Sequence, residues 1–312
     1  MPTYNQADFI VESINSVLNQ SYSNLELIIV NNFSSDKTDE IIHSFSDQRI
    51  RNFKFANQGI IAASRNFGIK NSKGIYISFI DSDDIWLRDK LKFQLDYFKE
   101  NPEIKLISSS LRISGPDKRY NGIDTFLNGN IRSGFIYEKL LDYNFIPFSS
   151  VIIENSVFNE TGYFDESPEI MPAEDWDLWL RIARRFQIAF IPKVVGIYRM
   201  HNLNHSKNVK KLDKAIYVIE KHIQNKWIAE GQGNRAKSHF YFHEGWFVIE
   251  KDNLYSRKLL RKALSLSKNN KKLYFACLLA LFLANFPFLC ALIKSMMLDR
   301  KLGSLIFKIQ HF

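Results

Sequence analysis

Three carboxylates stand within four positions at the end of an apolar segment. Residues 77–84 read ISFIDSDD, which places Asp81, Asp83 and Asp84 side by side. Carboxylates this close raise each other's pKa values unless a cation lies among them. Mg²⁺ and Mn²⁺ prefer carboxylate oxygens and complete their coordination with substrate phosphates. The cluster favours a divalent-metal site on Asp81 and Asp83, because alternate residues of an extended segment face the same way.

The same residues also fit a structural role. Asp and Ser are common at helix N-termini, and a helix starting near Ile85 and Trp86 would make the cluster an ordinary cap. Position supports the metal site, because the cluster follows a predicted strand at 74–80. Ligands of open α/β sheets collect beyond the carboxyl ends of strands. The polar segment NNFSSD at 31–36 follows another predicted strand in the same way.

A second acidic group lies in MPAEDWDLWLRIARRF, residues 171–186. Glu174, Asp175 and Asp177 fall in the first turn of a predicted helix. There they either stabilise the positive end of the helix dipole or supply a general base. Spacing alone leaves both interpretations open.

Strand and helix patterns alternate along the first half of the chain. This alternation predicts an α/β fold with a mostly parallel sheet and helices on both faces. The predicted helices cover 8–20, 37–46 and 59–72, and the predicted strands cover 25–30, 50–56 and 74–80.

Seven motifs in order give the chain a resemblance to family 2 glycosyltransferases, which are inverting enzymes of the GT-A fold. The resemblance covers about residues 1–206. The motifs are PTYN (2–5), IIVNNFSSDKT (28–38), NQGIIAASRNFGI (57–69), GIYISFIDSDDIW (74–86), SSVIIENSVFNETGYFDE (149–166), AEDWDLWLRIA (173–183) and YRMHNLNHS (198–206).

The resemblance implies a role for each acidic group. Asp81 and Asp83 match the DxD motif, which holds Mn²⁺ or Mg²⁺ against the diphosphate of a nucleotide sugar. His201 matches a position that reaches the metal or the diphosphate. Asp175 matches the catalytic base, and Glu174 orients it or contacts the acceptor. The implied reaction transfers a sugar, expected from a UDP-linked donor, to a surface polysaccharide or lipid-linked glycan.

The resemblance also implies a donor-binding set, and the sequence departs from the family there. Arg65 either meets a phosphate, braces the DxD loop or forms a structural salt bridge. The family usually has Asp where this chain has Asn31 and Asn32, so the contact with the nucleobase lacks a charge here. The implied donor-binding residues are Pro2, Thr3, Tyr4, Asn31, Asn32, Arg65, Asp81 and Ser82.

The chain begins at the end of the family's first strand. We therefore expect that strand to be missing, with buried ladder groups left unpaired at a cost of about 1–3 kcal/mol each. A non-catalytic scaffold that binds nucleotide sugars is the alternative function. A haloacid-dehalogenase-like phosphatase fits poorly, because Ile85 stands where that family needs Thr or Val.

The remainder, 207–312, is predicted to be helical. A helical hairpin is expected at 235–267, followed by the uncharged run 273–293, which is either a buried helix, an interfacial anchor or a membrane span. The chain has no secretion-signal pattern at its start, and its two cysteines, Cys277 and Cys290, favour a reducing compartment. We expect a cytoplasmic protein, with peripheral contact to the inner face of the membrane.

The net charge of +9 suggests either an anionic partner or a general enrichment of the sequence in basic residues. Nucleic acid is not the expected partner, because the aromatic residues follow helical core spacing and do not alternate with basic residues on a sheet face.

Overall fold

A computed structural model of the chain describes residues 1–117, 121–125, 133–202, 211–268, 270–286 and 290. Contacts divide the chain into two compact units. The first joins Met1–Tyr137 to Ile146–Lys207, and the second joins Glu138–Phe145 to Asn208–Phe312. The predicted division into domains at residues 1–206 and 207–312 stays a prediction.

The first unit opens with a three-stranded parallel sheet of order β1-β2-β3. Its middle strand is rich in branched apolar residues, and all five of its residues are buried. Helices follow the strands in alternation, as the sequence pattern predicts. The strands are β1 (Pro2–Thr3), β2 (Leu27–Asn31) and β3 (Ile50–Lys54), and the helices are α1 (Ile10–Leu18), α2 (Thr38–Ser44) and α3 (Ile61–Lys70).

A short β1 is present where the sequence predicted a missing strand. Pro2 and Thr3 lie parallel to β2, in register with Val30 and Asn31. The Val30 amide donates to the Met1 carbonyl at 2.9 Å, and the Asn32 amide donates to the Thr3 carbonyl at 3.0 Å. This part of the β2 ladder is therefore paired.

A second sheet of five strands has the order β4-β7-β6-β8-β5. Strands β6 and β8 are parallel, and the other neighbours are antiparallel. The α/β class predicted from the sequence is confirmed. The strands are β4 (Tyr76–Ser78), β5 (Ile85–Trp86), β6 (Ile104–Ser114), β7 (Ile152–Glu154) and β8 (Gln187–Arg199).

Short helices lie between these strands along the chain, and one of them, Tyr137–Asp142, falls almost wholly in the second unit. A 3₁₀ turn at Phe148–Ser150 precedes β7 and carries side chains that reach the acidic cluster. The helices are α4 (Lys90–Glu100), α5 (Tyr137–Asp142), α6 (Val157–Thr161) and α7 (Glu174–Ala183).

The structure corrects the alternative role of the acidic cluster as a helix cap. Ile85 and Trp86 form strand β5 and pair antiparallel with Ile197 and Gly196 of β8. The next helix begins only at Lys90. Pairing with a strand more than a hundred residues away overrides the local capping pattern, so the cluster lies between two strands.

In addition to α5, the second unit contains four helices within the described residues. Gly245 allows α9 and α10 to approach closely, because a Cβ there would lie 2.9 Å from Leu260 Cγ. The predicted helical hairpin is thus present. The helices are α8 (Lys211–Gln224), α9 (Glu230–Val248), α10 (Asn253–Leu266) and α11 (Lys271–Leu283).

The apolar run 273–293 falls partly on α11, and residues 287–289 and 291–293 lie outside the described residues. Cys277 and Cys290 are buried. Across the described part of the chain, every helix is too short or too polar to reach from one side of a membrane to the other.

Candidate active site

The acidic cluster is a tight turn and not an extended segment. The Asp84 amide donates to the Asp81 carbonyl at 3.0 Å, which closes the turn. One oxygen each from Asp81, Asp83 and Asp84 lies within 4.8 Å of the others. The prediction that Asp81 and Asp83 face the same way on an extended segment was therefore wrong. The turn brings the two predicted carboxylates together and adds Asp84.

Asp84 is the buried member of the cluster, and hydrogen bonds orient both of its oxygens. The Ser149 hydroxyl donates to Oδ2 at 2.5 Å, and the Arg199 amide donates to Oδ1 at 3.2 Å. The Ser149 hydroxyl also accepts a bond from the Asp81 amide at 3.1 Å. Ser149 thus joins two residues of the turn to the segment before β7.

Arg199, at the end of β8, holds the turn from the opposite side. Its Nε donates to the Asp83 carbonyl, its Nη1 pairs with Glu12 at 2.7 Å and its Nη2 donates to the Phe9 carbonyl at 2.9 Å. Sequence reasoning missed both Arg199 and Ser149. Each lies inside a quoted motif, but only tertiary structure shows that they meet the acidic turn.

The cluster carries negative charge that its protein surroundings neutralise only in part. Burial raises the pKa of Asp81, and repulsion from Asp83 adds to this, although Arg65 opposes both. Burial raises the pKa of Asp84 well above its usual value, and Asp83 and Asp81 raise it further. Closely spaced oxygen donors with a charge deficit suit a hard divalent cation, so these residues fit the predicted metal.

His201 lies beside Asp83 of the cluster, and its contact with a metal or diphosphate stays a prediction. Its Nε2 lies 2.9 Å from Oδ2 of Asp83. The ring stacks on Phe9, with ring centroids 4.3 Å apart. Asp81, Asp83 and His201 are therefore neighbours, although 118 residues separate His201 from Asp83.

Arg65 joins the acidic turn to helix α7. Its Nη1 donates to Glu174 Oε1 at 2.6 Å, and its Nη2 lies 3.3 Å from Asp81 Oδ1. The buried guanidinium stacks over the Phe148 ring at 3.8 Å, which fixes its plane. These contacts are ion pairs that join the acidic turn to α7, and a contact between Arg65 and a phosphate stays a prediction.

The first turn of α7 presents three carboxylates with different surroundings. Burial and repulsion from Glu174 raise the pKa of Asp175 to about 7, despite the opposing charge of Arg65. Glu174 is buried, and its Oε2 has no hydrogen-bond partner among the described residues. Asp177 pairs with Arg181 at 2.9 Å on the same helix. The surroundings of Asp175 and Asp177 therefore differ, and sequence spacing alone could not show this difference.

The segments after β1 and β2 are joined by side-chain hydrogen bonds. Asn31 Oδ1 accepts from the Ser34 amide at 3.0 Å and hydroxyl at 2.8 Å, and Asn31 Nδ2 donates to Asp39. Asn32 Oδ1 accepts from the Asn57 amide at 3.0 Å. Both amide oxygens are thus used in shaping the loops.

Other implied donor residues differ in exposure. Pro2, Thr3 and Ser82 are buried, and the Ser82 carbonyl accepts from the Ser13 hydroxyl at 2.8 Å. Tyr4 is 54% exposed. Burial therefore leaves only some of these side chains open to a ligand.

One non-glycine residue with positive φ follows each strand of the parallel sheet. Asn5, Phe33 and Gln58 have φ values of 51°, 54° and 52°. Phe33 also exposes 57% of its surface. This conformation costs about 1–2 kcal/mol per residue, and such strain clusters at functional sites. Gly59, with φ 82°, marks the turn at Gln58 in the sequence, whereas no glycine adjoins Asn5 or Phe33.

A family model described as glycosyl transferase family 2 matches residues 1–160. An uncharacterized glycosyltransferase of Rickettsia bellii is 33% identical over 227 residues, which are 72% of this chain and 32% of that protein. The chain thus matches about a third of that relative's length. Escherichia coli WfgD, named a UDP-Glc:alpha-D-GlcNAc-diphosphoundecaprenol beta-1,3-glucosyltransferase, is 30% identical and covers 72% and 85% of the two chains.

Solved structures share the fold. Staphylococcus aureus TarS 1-349 in complex with UDP-GlcNAc superposes with a TM-score of 0.64 at 18% identity, covering 99% of this chain and 89% of TarS. The mannosyltransferase PcManGT of Pyrobaculum calidifontis, in complex with GDP-Man and Mn²⁺, has a TM-score of 0.57 at 16% identity, covering 91% and 84%. The predicted GT-A fold is confirmed, and the chain belongs to glycosyltransferase family 2.

Proposed function

We propose that this protein is a metal-dependent, inverting glycosyltransferase that moves a sugar from a nucleotide donor to a hydroxyl group of a glycan. One observation carries the proposal. Arg65 contacts both Asp81 of the acidic turn and Glu174 of α7, the residue next to Asp175. The acidic turn that fits a cation and the helix turn that carries the candidate base therefore both lie beside the Arg65 guanidinium.

Asp81 and Asp83 would hold the divalent ion, with Asp84 supporting the turn and His201 beside Asp83. When bound, Mn²⁺ or Mg²⁺ supplies positive charge against the diphosphate of the donor. Arg199 and Ser149 keep the carboxylates in place by bonding the backbone and side chains of the turn. Removing such supporting contacts typically weakens metal binding by about 10- to 100-fold.

Asp175 is our candidate general base. Its pKa of about 7 allows the side chain to be ionised near neutral pH and still basic enough to take a proton. It would remove the proton of the acceptor hydroxyl while that oxygen attacks the anomeric carbon. The bond from that carbon to the diphosphate breaks on the opposite face, and the nucleoside diphosphate leaves with the electron pair. Glu174 tunes the base by repulsion and holds Arg65.

The loops after β1, β2 and β3 are our candidate donor site. Tyr4 and Phe33 offer exposed rings on which a nucleobase can stack. Asn31 shapes the loop through its hydrogen bonds with Ser34 and Asp39. We therefore assign the contacts with the nucleobase to exposed groups around Asn31. The complex of TarS with UDP-GlcNAc supports a UDP-linked donor.

A lipid-linked or surface glycan is our proposed acceptor, supported by the named acceptor of WfgD. A nucleotide sugar is charged and does not cross a bilayer unaided. We therefore place the reaction in the cytoplasm, at the inner face of the membrane.

Donor binding and turnover test the proposal separately. A thermal-shift screen of nucleotide sugars should show stabilisation by a UDP-sugar that grows with added Mn²⁺. Hydrolysis or transfer of that sugar should be lost in Asp175→Asn while the thermal shift remains. A scaffold would bind the donor and never turn it over. Transfer by Asp175→Asn at the wild-type rate would overturn the assignment of the base.

A further inference from the structure

One face of α11 exposes a row of large apolar side chains. Their spacing of three and four residues places those on the helix along one side, and the last lies just beyond its end. Each is at least 40% exposed. They are Phe275 (66%), Leu278 (40%), Leu279 (59%), Phe282 (60%) and Phe286 (50%).

The opposite face of α11 is already used in the core of the second unit. Leu273 and Cys277 pack in one cluster, and Ala280, Leu283 and Ala284 pack in the next. The helix is thus apolar on both sides, although only one side meets protein in the described residues. A helix that is apolar all round normally has an apolar environment all round. The outer row requires a second apolar partner.

The charge of the surrounding sequence indicates which partner fits. From residue 253 to residue 298 there is no acidic residue, and eight are basic: Arg257, Lys258, Arg261, Lys262, Lys268, Lys271, Lys272 and Lys294. Lys271 and Lys272 are exposed at the start of α11. A second copy of this chain would bring the same positive charge against itself. An anionic surface with an apolar interior complements both features.

We propose that the outer face of α11 is a membrane-contact surface that inserts its apolar row into an anionic lipid bilayer. The phenylalanine and leucine side chains would enter the boundary between headgroups and acyl chains, while the lysines meet anionic headgroups. The inference rests on the second unit alone and does not require the proposed transferase activity.

Sedimentation with lipid vesicles tests this surface. The wild-type protein should bind vesicles of phosphatidylcholine mixed with phosphatidylglycerol more tightly than vesicles of phosphatidylcholine alone, and salt should reduce the difference. Phe275→Ser combined with Phe282→Ser should weaken binding by about a hundredfold, at about tenfold for each ring removed. Both side chains are exposed, so the variant should keep the wild-type melting temperature.

A matched control lies on another helix. Phe247 of α9 is 43% exposed, and Phe247→Ser makes the same chemical change outside the row. It should leave vesicle binding unchanged. The proposal is overturned if wild type fails to bind anionic vesicles, or if the double variant and the control bind equally well.

Two other occupants of the face give different results. If a second copy covers it, light scattering would show a dimer that Phe275→Ser with Phe282→Ser dissociates. If residues 291–312 cover it, a polarity-sensitive dye on Leu279→Cys would report an apolar environment in the vesicle-free monomer. Burial raises the pKa of the Cys277 thiol to about 11, and Cys290 is also buried, so the dye should label the new cysteine. Our proposal requires a water-exposed signal that becomes apolar only when anionic vesicles are added.

Discussion

Two aspartates on the first turn of α7 should respond in opposite directions to the same substitution. Asp175 is partly buried beside Glu174, whereas Asp177 is buried against Arg181. We predict that Asp175→Asn stabilises the fold at neutral and alkaline pH, and that Asp177→Asn destabilises it. The pair is matched in residue type, and both residues lie in the first turn of α7.

The magnitude for Asp175 comes from its shifted pKa. The pKa rises from 3.8 to about 7 on folding. A raised pKa contributes stability that is fully present below 3.8 and is lost as the pH rises through 7. A shift of about three units corresponds to about 4 kcal/mol. Asn resembles the protonated acid, so the variant should match wild type near pH 4 and exceed it by up to about 4 kcal/mol near pH 8.

The control variant breaks a buried ion pair. Asp177→Asn leaves the Arg181 guanidinium, which also donates to the Thr161 and Tyr163 carbonyls, without its carboxylate. Removing one partner of such a pair costs about 3–5 kcal/mol. At neutral pH Asp177→Asn should therefore be less stable than wild type, whereas Asp175→Asn should be more stable.

Urea denaturation followed by tryptophan fluorescence, with a chelator present, measures both effects. Transfer activity of the wild type should rise about tenfold per pH unit below pH 7 and level off above it, as the base ionises. Asp175→Asn should be more stable than wild type at pH 8 and inactive at every pH. If it is destabilised there as much as Asp177→Asn, the account of Asp175 as a strained, ionisable base fails.

Three further substitutions test the site's supports. Arg199→Lys should weaken Mn²⁺ binding about tenfold in calorimetry without removing Asp83 itself; unchanged affinity would contradict its positioning role. Phe33→Gly should raise the melting temperature, because glycine takes positive φ at little cost, while weakening UDP binding about tenfold or more; a lower melting temperature would refute this. Gly196→Ala would place a Cβ 2.7 Å from the Ile85 carbonyl and should cost about 1–3 kcal/mol in urea unfolding.

Local pattern was enough to predict some of this structure. Branched residues predicted β2, and the carboxylates at 174–177 predicted the first turn of α7, because both signals depend on neighbours in sequence. The region around Ile85 was predicted less well. Its strand exists because β8 lies alongside, and nothing within ten residues indicates that pairing.

The site shows the same limit. Motif order identified Asp81, Asp83 and His201, and the structure brings them together. Sequence could not identify Ser149 or Arg199, because neither is a residue type that marks a metal site. Their role comes from donating hydrogen bonds to the turn across distances of 65 and 116 residues. The sequence also could not show whether Asn31 contacts a nucleobase, because the fold of the loop determines that its side chain bonds to Ser34 and Asp39.

The arrangement of charge explains why one arginine matters so much. Arg65 contacts both Asp81 and Glu174, yet one positive charge cannot neutralise these two carboxylates together with the neighbouring Asp83 and Asp84. Burial makes that remaining negative charge costly, as the raised pKa values of Asp81 and Asp84 indicate. A fold selected for stability alone would replace these side chains with neutral ones. Their presence is consistent with a site that binds a divalent cation. That cation supplies the missing positive charge and then faces the diphosphate of the donor.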